Sequence, residues 1–335
     1  MSVAINSPSK RPPVENSELM LNTNTTGINL APNLFQPLIK ELHFSPATLI
    51  ALNGCLALIM FGVALTIKVD HFYQLRHQKK ALATGLFTQY VLLPALTILI
   101  ILVWSPPPGM ALGMILVAAC PGGNASNFFS LMAKGNVALA VTLTAFSSVM
   151  AFIITPLNFF LWSSTIPGLR DNIQSIEVGF LDLFLTMSGV LLFPLLVGMA
   201  VGHYYPAFTK KIGKPLRLVS IVILVIFVIL AFWQNISVFI ERIYSVFWLV
   251  LFHNGLGLLG AYYFSRLVGN PEAVNRSVAI ETAIQNSGLG LLLIFTFFDG
   301  NPDMALIAAW WAIWHLVSGF TFAFFIRRIP IVQPT

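Results

Sequence analysis

Two short runs of polar residues and glycine interrupt otherwise apolar stretches of the chain. The first reads CPGGNASN at residues 120–127, and the second reads ETAIQNSG at residues 281–288. Carboxylate, amide and hydroxyl oxygens are the ligands that hard cations prefer, and Na⁺ is such a cation. Backbone N–H groups at the start of a helix attract anions. These residue types therefore indicate a cation site beside an anion site.

Glu281 is the strongest candidate within these runs, because it lies inside an apolar segment. An ionisable residue at membrane depth is costly and indicates function. The alternative is a structural carboxylate that is hydrogen-bonded to a neighbouring helix. Gln285 and Ser126 supply further cation ligands. The helix starts near residues 124–126 and 286–288 would face the anion, with Asn124 or Ser126 as the cap of a new half-helix.

The composition predicts an all-α polytopic membrane protein. Hydrophobic residues make up 57% of the chain, charged residues only 9%, and the mean hydropathy is +0.84. Soluble domains carry roughly 25% charged residues. The net charge of +6 comes from short loops between apolar runs, which excludes a nucleic-acid partner. The lipid bilayer is the predicted partner, and protein partners stay open.

Nine segments are long and apolar enough to span a bilayer. Residues 1–44 are predicted to be a disordered external tail, 45–328 a nine-helix transporter domain, and 329–335 a short cytoplasmic tail. The predicted spans are 46–67, 81–104, 109–133, 136–162, 178–203, 216–238, 244–266, 273–298 and 304–326.

The distribution of charge predicts the topology. With the N-terminus outside and the C-terminus cytoplasmic, thirteen of the eighteen lysines and arginines fall on the inner side, and the plasma (inner) membrane is the expected location. The polar runs break the third and eighth spans, 109–133 and 273–298, which are antiparallel because their offset of five spans is odd. This arrangement predicts inverted repeats, 45–162 and 178–328, with two discontinuous, crossing helices.

The chain resembles the bile acid:sodium symporter family. The resemblance rests on the two polar runs, on Gln89 and Pro94, and on the stretch MFGVALT at 60–66, and it covers roughly residues 46–328. It implies a core domain that holds both broken helices, a panel domain, and alternating access. Family members couple uptake of an organic anion to one or two Na⁺ ions.

The resemblance also implies particular site residues. The first sodium site would use Ser126, Asn127, Thr144 and Glu281; the second would use Gln89, Glu281, Gln285 and the backbone of Thr282 and Ile284. Substrate contacts would come from Asn124, Asn286, Gly123, Ser287 and His315.

The chain departs from the family pattern at two positions. Ala140 stands where the first sodium site usually has a serine, so that site lacks one oxygen ligand. Leu316 follows His315 where some bacterial relatives have an asparagine, which makes the pocket less polar. His315 is either a ligand contact or a packing residue, and His203 and His253 are predicted to lie near helix ends at the membrane interface.

Three functions follow from these patterns. The leading prediction is sodium-coupled uptake of an organic anion, either bile-acid-like or a carboxylate of the pantoate or 2-oxo-acid type. The alternatives are proton coupling through Glu281, and a non-cycling receptor that only binds the anion. The predicted spans contain no H-E-x-x-H motif, G-x-S-x-G motif or phosphate loop, which argues against an enzyme.

Overall fold

The computed structural model describes residues 46–65, 67, 78–169, 180–234 and 236–331. Its helices are α1 (Pro46–Ala64), α2 (Lys79–Trp104), α3 (Pro108–Ala119), α4 (Ala125–Met132), α5 (Val137–Ser163), α6 (Phe180–Tyr204), α7 (Pro206–Gln234), α8 (Ile236–Leu267), α9 (Glu272–Ala283), α10 (Ser287–Phe297) and α11 (Pro302–Ile326). These helices confirm the all-α prediction. The predicted tail 1–44 and most of the predicted tail 329–335 lie outside the described residues.

Five helices of the described chain are long and apolar enough to cross a membrane. They are α2, α5, α8 and α11 over nearly their full lengths, and residues Phe184–Tyr204 of α6. The shorter helices α3 and α10 are also apolar. The chain is therefore a polytopic integral membrane protein, whereas the count of nine spans stays a prediction.

Two helices begin well before the predicted spans. α7 begins at Pro206 rather than at 216, and α8 begins at Ile236 rather than at 244. Each helix opens with charged residues, Lys210 and Lys211 in α7 and Glu241 and Arg242 in α8. Hydropathy marks only the apolar part of a helix, so it misses polar turns that extend beyond the hydrocarbon region.

Both predicted broken spans are interrupted in the structure, and their interruptions contact each other. α3 ends at Ala119 and α4 begins at Ala125, while α9 ends at Ala283 and α10 begins at Ser287. Gly123 N donates to Ile284 O over 2.7 Å, and Asn286 N donates to Pro121 O over 2.8 Å. Each break thus satisfies backbone groups that the other leaves unpaired, as buried irregular backbone at membrane depth requires.

The remaining helices surround these breaks on several sides. α2, α5, α8 and α11 pack against the four half-helices, and α1 packs mainly against α6, α7 and α10. The backbone of α2 widens into a π-helical turn at Thr88–Leu92, where Leu93 N donates to Thr88 O. Such turns are frequent at functional sites, and this one carries Gln89 into the interior.

Candidate functional site

Glu281 lies fully buried beside the contact between the two breaks. Ser126 Oγ donates to its Oε2 over 2.5 Å, and Thr144 Oγ1 donates to its Oε1 over 2.8 Å. Within the described ranges, Glu281 has no basic ion-pair partner; Arg276 pairs with Glu272, and Arg242 pairs with Asp303. An ionised carboxylate here is stabilised by hydroxyl groups alone, and its charge requires a counter-ion or a proton.

Gly122 leaves the space that the carboxylate of Glu281 occupies. A Cβ atom on Gly122 would overlap Glu281 Oε1, so only glycine lets the first break approach the carboxylate this closely. A Cβ on Gly123 would lie 3.0 Å from Gln285 O, again at the contact of the breaks. The predicted substrate residue Gly123 is therefore buried between the two breaks, where its N–H bonds to Ile284 O.

Several amide oxygens near Glu281 are buried without a hydrogen-bond donor. Among the described residues, Asn127 Oδ1, Gln285 Oε1 and both side-chain atoms of Gln89 have no hydrogen-bond partner. Buried polar atoms of this kind are rare and call for an explanation such as a bound ion. All three residues belong to the predicted sodium ligands, and their chemistry fits a hard cation.

The predicted backbone ligands of the second sodium site lie at the end of α9. Thr282 O accepts from Gln285 Nε2 over 2.8 Å, and Ile284 O accepts from Gly123 N over 2.7 Å. Thr282 Oγ1 lies 2.9 Å from Thr88 Oγ1, which ties α9 to the π turn of α2. A carbonyl oxygen has two acceptor sites, so each of these carbonyls keeps one for a cation.

A small cavity opens beside the first break, and its empty volume of about 280 Å³ includes space open to solvent. Its lining combines amide and hydroxyl groups from α4 and α5 with aliphatic side chains: Asn124, Asn127, Thr144, Ser148, Val63, Ile67, Val141 and Ala145. Ser148 was missed by the sequence analysis. It lies one helical turn after Thr144, so the spacing of four residues that relates Ala140 to Thr144 also points to it.

The two asparagines predicted to face the substrate differ in role. Asn124 is exposed in the cavity and, within the described chain, its side chain makes no capping hydrogen bond to α4. Asn286 Oδ1 accepts from Leu289 N over 3.1 Å and so caps α10. Asn124 therefore occupies the N-cap position of α4, as one of the two expectations had it, but without a capping hydrogen bond from its side chain, whereas Ser126 Oγ bonds to Glu281.

Besides Gly123, three further predicted substrate residues are not part of the cavity lining. Asn286 and Ser287 lie at the second break, where Ser287 is 4% exposed. His315 is buried in α11, and its Nδ1 has no hydrogen-bond partner in the part of the chain that the structure describes. The structure thus brings the predicted cation ligands together, whereas Asn124 alone of the predicted substrate contacts lines the cavity.

The prediction for His253 is wrong. It lies fully buried in the middle of α8 rather than at an interfacial end. Its Nε2 lies 2.6 Å from Thr97 Oγ1, and its ring packs against Trp311 with 4.7 Å between ring centroids. Both the predicted span 244–266 and the observed helix Ile236–Leu267 contain His253 near the middle, so only its assignment to a helix end is at fault.

Comparison with known proteins places this geometry in a family. A family model described as the Sodium Bile acid symporter family matches residues 54–242, which is more than half of the chain. The chain belongs to the sodium bile acid symporter family. The match confirms the resemblance seen in the two polar runs. Membership identifies the protein as a transporter and not an enzyme, and it supports sodium-coupled transport in general.

Individual relatives support the assignment to this family. The uncharacterized sodium-dependent transporter YocS of Bacillus subtilis (strain 168) is 32% identical over 79% of this chain and 79% of its own length. The probable sodium/metabolite cotransporter BASS1, chloroplastic, of Arabidopsis thaliana is 32% identical over 82% of the chain. The human sodium/bile acid cotransporter 4 is 26% identical over 70% of it. The matched regions make up 66% and 53% of these last two proteins, respectively.

Proposed function

We propose that this chain carries a small organic anion across a membrane together with Na⁺, by alternating access. The observation that carries the proposal is the buried carboxylate of Glu281, which two hydroxyl groups hold where the broken helices meet. A cation beside Glu281 would neutralise its charge and satisfy the nearby amide oxygens. Sodium coupling is common to the family, and the assignment of sodium to these residues is our proposal.

The first sodium site would lie between α4 and α5. Ser126, Asn127, Thr144 and Glu281 supply its oxygens, and Ser126 Oγ and Thr144 Oγ1 are only 3.3 Å apart. Ala140 contributes no side-chain oxygen, so this site has one ligand fewer than the family pattern. The second site would use Gln89, Glu281, Gln285 and the carbonyls of Thr282 and Ile284. We therefore assign the second site the higher sodium affinity.

The substrate would bind in the cavity beside the first break. Among the described residues that line it, none carries a positive charge. An anion would therefore be held by the Asn124 and Ser148 side chains and by the N-terminal end of α4, whose N–H groups favour negative charge. The aliphatic residues Val63, Ile67 and Val141 would contact an apolar body. These features support a carboxylate with an apolar part, bile-acid-like or of the pantoate or 2-oxo-acid type.

Alternating access would come from movement between two groups of helices. α1, α6 and α7 contact one another, the four half-helices contact α2, α5, α8 and α11, and the two groups meet where α1 packs against α10 and α6 against α5. We assign the first group to the panel domain and the second to the core domain. The cavity lies between them, because Val63 and Ile67 come from the α1 region and the other lining residues from α4 and α5. The proposal also places the protein in the plasma (inner) membrane, with its N-terminus outside and its C-terminus in the cytoplasm.

Proton coupling is the second candidate, and one observation favours it. Glu281 is fully buried without a basic ion-pair partner among the described residues, which disfavours its charged form, and the first sodium site lacks a ligand at Ala140. A proton on Glu281 would neutralise the charge without further ligands. A transporter of this kind would respond to a proton gradient in the absence of sodium.

Uptake into proteoliposomes separates these candidates. Purified protein is reconstituted, sodium and proton gradients are imposed separately, and uptake of labelled taurocholate and labelled pantoate is measured. We expect uptake under the sodium gradient, its loss in Glu281→Gln, and its retention in the control Glu241→Gln, whose side chain is exposed. Uptake driven by protons alone would contradict sodium coupling. Binding without uptake under either gradient would indicate the receptor.

A further inference from the structure

Asn254 is a buried amide that neither the family pattern nor the sequence analysis includes in the site. It lies in α8 and is fully buried. Its Nδ2 donates to Ala283 O, the last residue of α9, over 2.9 Å. Because only the amide nitrogen can donate to a carbonyl, this bond fixes which end of the side chain carries the oxygen. Oδ1 is buried and has no partner among the residues that the structure describes.

Gln285 repeats this arrangement at the adjacent carbonyl. Its Nε2 donates to Thr282 O over 2.8 Å, and its Oε1 is buried without a donor in the described chain. Two amides therefore bind consecutive carbonyls at the end of α9 through their nitrogens. Both leave an oxygen in the interior, close to the helix end that carries negative partial charge.

Gln89 faces the same end of α9 from a third helix. The π turn that carries it packs against α8 and α9, and Thr88 Oγ1 lies 2.9 Å from Thr282 Oγ1. Neither Oε1 nor Nε2 of Gln89 has a hydrogen-bond partner within the described ranges. Amide side chains from α2, α8 and the second break thus converge on one helix end, and their oxygens have no donors there.

We propose that Asn254 Oδ1 is an additional ligand of the second sodium site. This inference rests on the proposed function and extends the predicted ligand set to α8. A hard cation at this place would satisfy the oxygens of Asn254, Gln285 and Gln89 together and would be attracted by the end of α9. This cation would provide a partner for the three buried oxygens, which have none within the described residues.

A purely structural role for Asn254 makes a different prediction. In that case its only function is the hydrogen bond from Nδ2 to Ala283 O, which joins α8 to α9. Any substitution that removes the amide nitrogen would then destabilise the protein and leave sodium affinity unchanged. Asn254→Asp separates the two roles, since it removes the N–H donor but keeps an oxygen ligand.

The test measures how sodium raises the melting temperature of the purified full-length protein. NaCl replaces KCl at constant ionic strength, and the sodium concentration for half of the shift is determined. We expect Asn254→Leu to raise this concentration by about tenfold or more, as loss of a group that supports a metal site does. Asn254→Asp should have a lower melting temperature than wild-type protein, because it loses the N–H donor. It should nevertheless bind sodium better than Asn254→Leu.

Asn275→Leu is the matched control. Asn275 is also buried and donates from Nδ2 to a backbone carbonyl, that of Asn270, but its Oδ1 accepts from Ser265 Oγ over 2.7 Å. This control should lose stability without losing sodium affinity. The inference is overturned if Asn254→Leu keeps the wild-type sodium dependence, or if Asn254→Asp is no better than Asn254→Leu. If wild-type protein gains no stability from sodium, the second sodium site and the inference fail together; uptake in proteoliposomes then tests the proposed function separately.

Discussion

The side-chain amide of Asn158 donates a hydrogen bond to the backbone carbonyl of Tyr90 over 3.1 Å. Tyr90 lies in the π turn of α2, and Pro94, four residues later, has no N–H to offer this carbonyl. Asn158 Oδ1 in turn accepts from Trp162 Nε1 over 2.9 Å, so both ends of the amide are held. α5 thus supports the turn that places Gln89 in the interior.

Asn158→Leu is expected to weaken sodium binding through Gln89. Removal of the donor takes away a partly buried hydrogen bond to the Tyr90 carbonyl, which costs about 1 kcal/mol and lets the turn rearrange. We expect the sodium concentration for half-maximal uptake to rise about tenfold, as for other losses of support around a metal site. Ser163→Ala on the same helix, which removes local hydrogen bonds to Phe159 O and Phe160 O, should leave it unchanged. Unchanged sodium dependence in folded Asn158→Leu would disprove the positioning role.

Gly122→Ala is expected to abolish sodium-driven uptake. The new methyl group would overlap Glu281 Oε1, so the carboxylate or the break must move. Gly290→Ala is the control, because a Cβ there meets Cys120 Sγ at an ordinary 3.5 Å. Uptake and melting temperature are measured for both variants. Normal uptake in Gly122→Ala would show that the carboxylate does not need its place against the first break.

Ala140→Ser is expected to strengthen the first sodium site. The substitution restores the hydroxyl that the family pattern has one turn before Thr144. If the added ligand contributes about 1.4 kcal/mol, the sodium concentration for half-maximal uptake falls about tenfold. Ala151→Ser, a buried position on the same helix, is the control. A sodium dependence equal to that of wild-type protein in Ala140→Ser would count against a sodium site between α4 and α5.

Asn124→Ala and Asn286→Ala are expected to have different effects. Asn124 faces the cavity and caps nothing in the described chain, so its loss should raise the substrate KM without lowering the melting temperature. Asn286 caps α10 through Leu289 N, so its loss should cost about 0.5–2 kcal/mol of stability. Uptake kinetics and thermal unfolding are compared for both variants. An unchanged substrate KM in Asn124→Ala would remove the proposed substrate position.

The apolar segments and the two breaks could be predicted from the sequence. Proline, paired glycines and clustered asparagines conflict with a lipid-facing helix, so the runs at 120–127 and 281–288 mark irregular backbone. The family resemblance, which rests on the same runs, is confirmed by the match over residues 54–242. The assignments of individual ligands, the repeat boundaries and the number of spans stay predictions.

Contacts between helices that are far apart in the sequence could not be predicted. Asn158, Asn254 and Ser148 lie within apolar segments, and their spacing does not say whether they face lipid, a neighbouring helix or a cavity. His253 was assigned to a helix end although the predicted span 244–266 already contained it near the middle, and its contact with Thr97 could not be read from the sequence. The π turn was also missed, since the sequence does not reveal that Asn158 replaces the donor that Pro94 lacks.

Equilibrium binding of radiolabelled sodium to purified protein tests the central role of Glu281 most directly. Wild-type protein, Glu281→Gln and the exposed control Glu241→Gln are compared at constant ionic strength, with melting temperatures measured in parallel. The proposal predicts saturable sodium binding in wild-type protein and in the control, and a loss of most of it in folded Glu281→Gln. Sodium binding by Glu281→Gln with wild-type affinity and stoichiometry would contradict it.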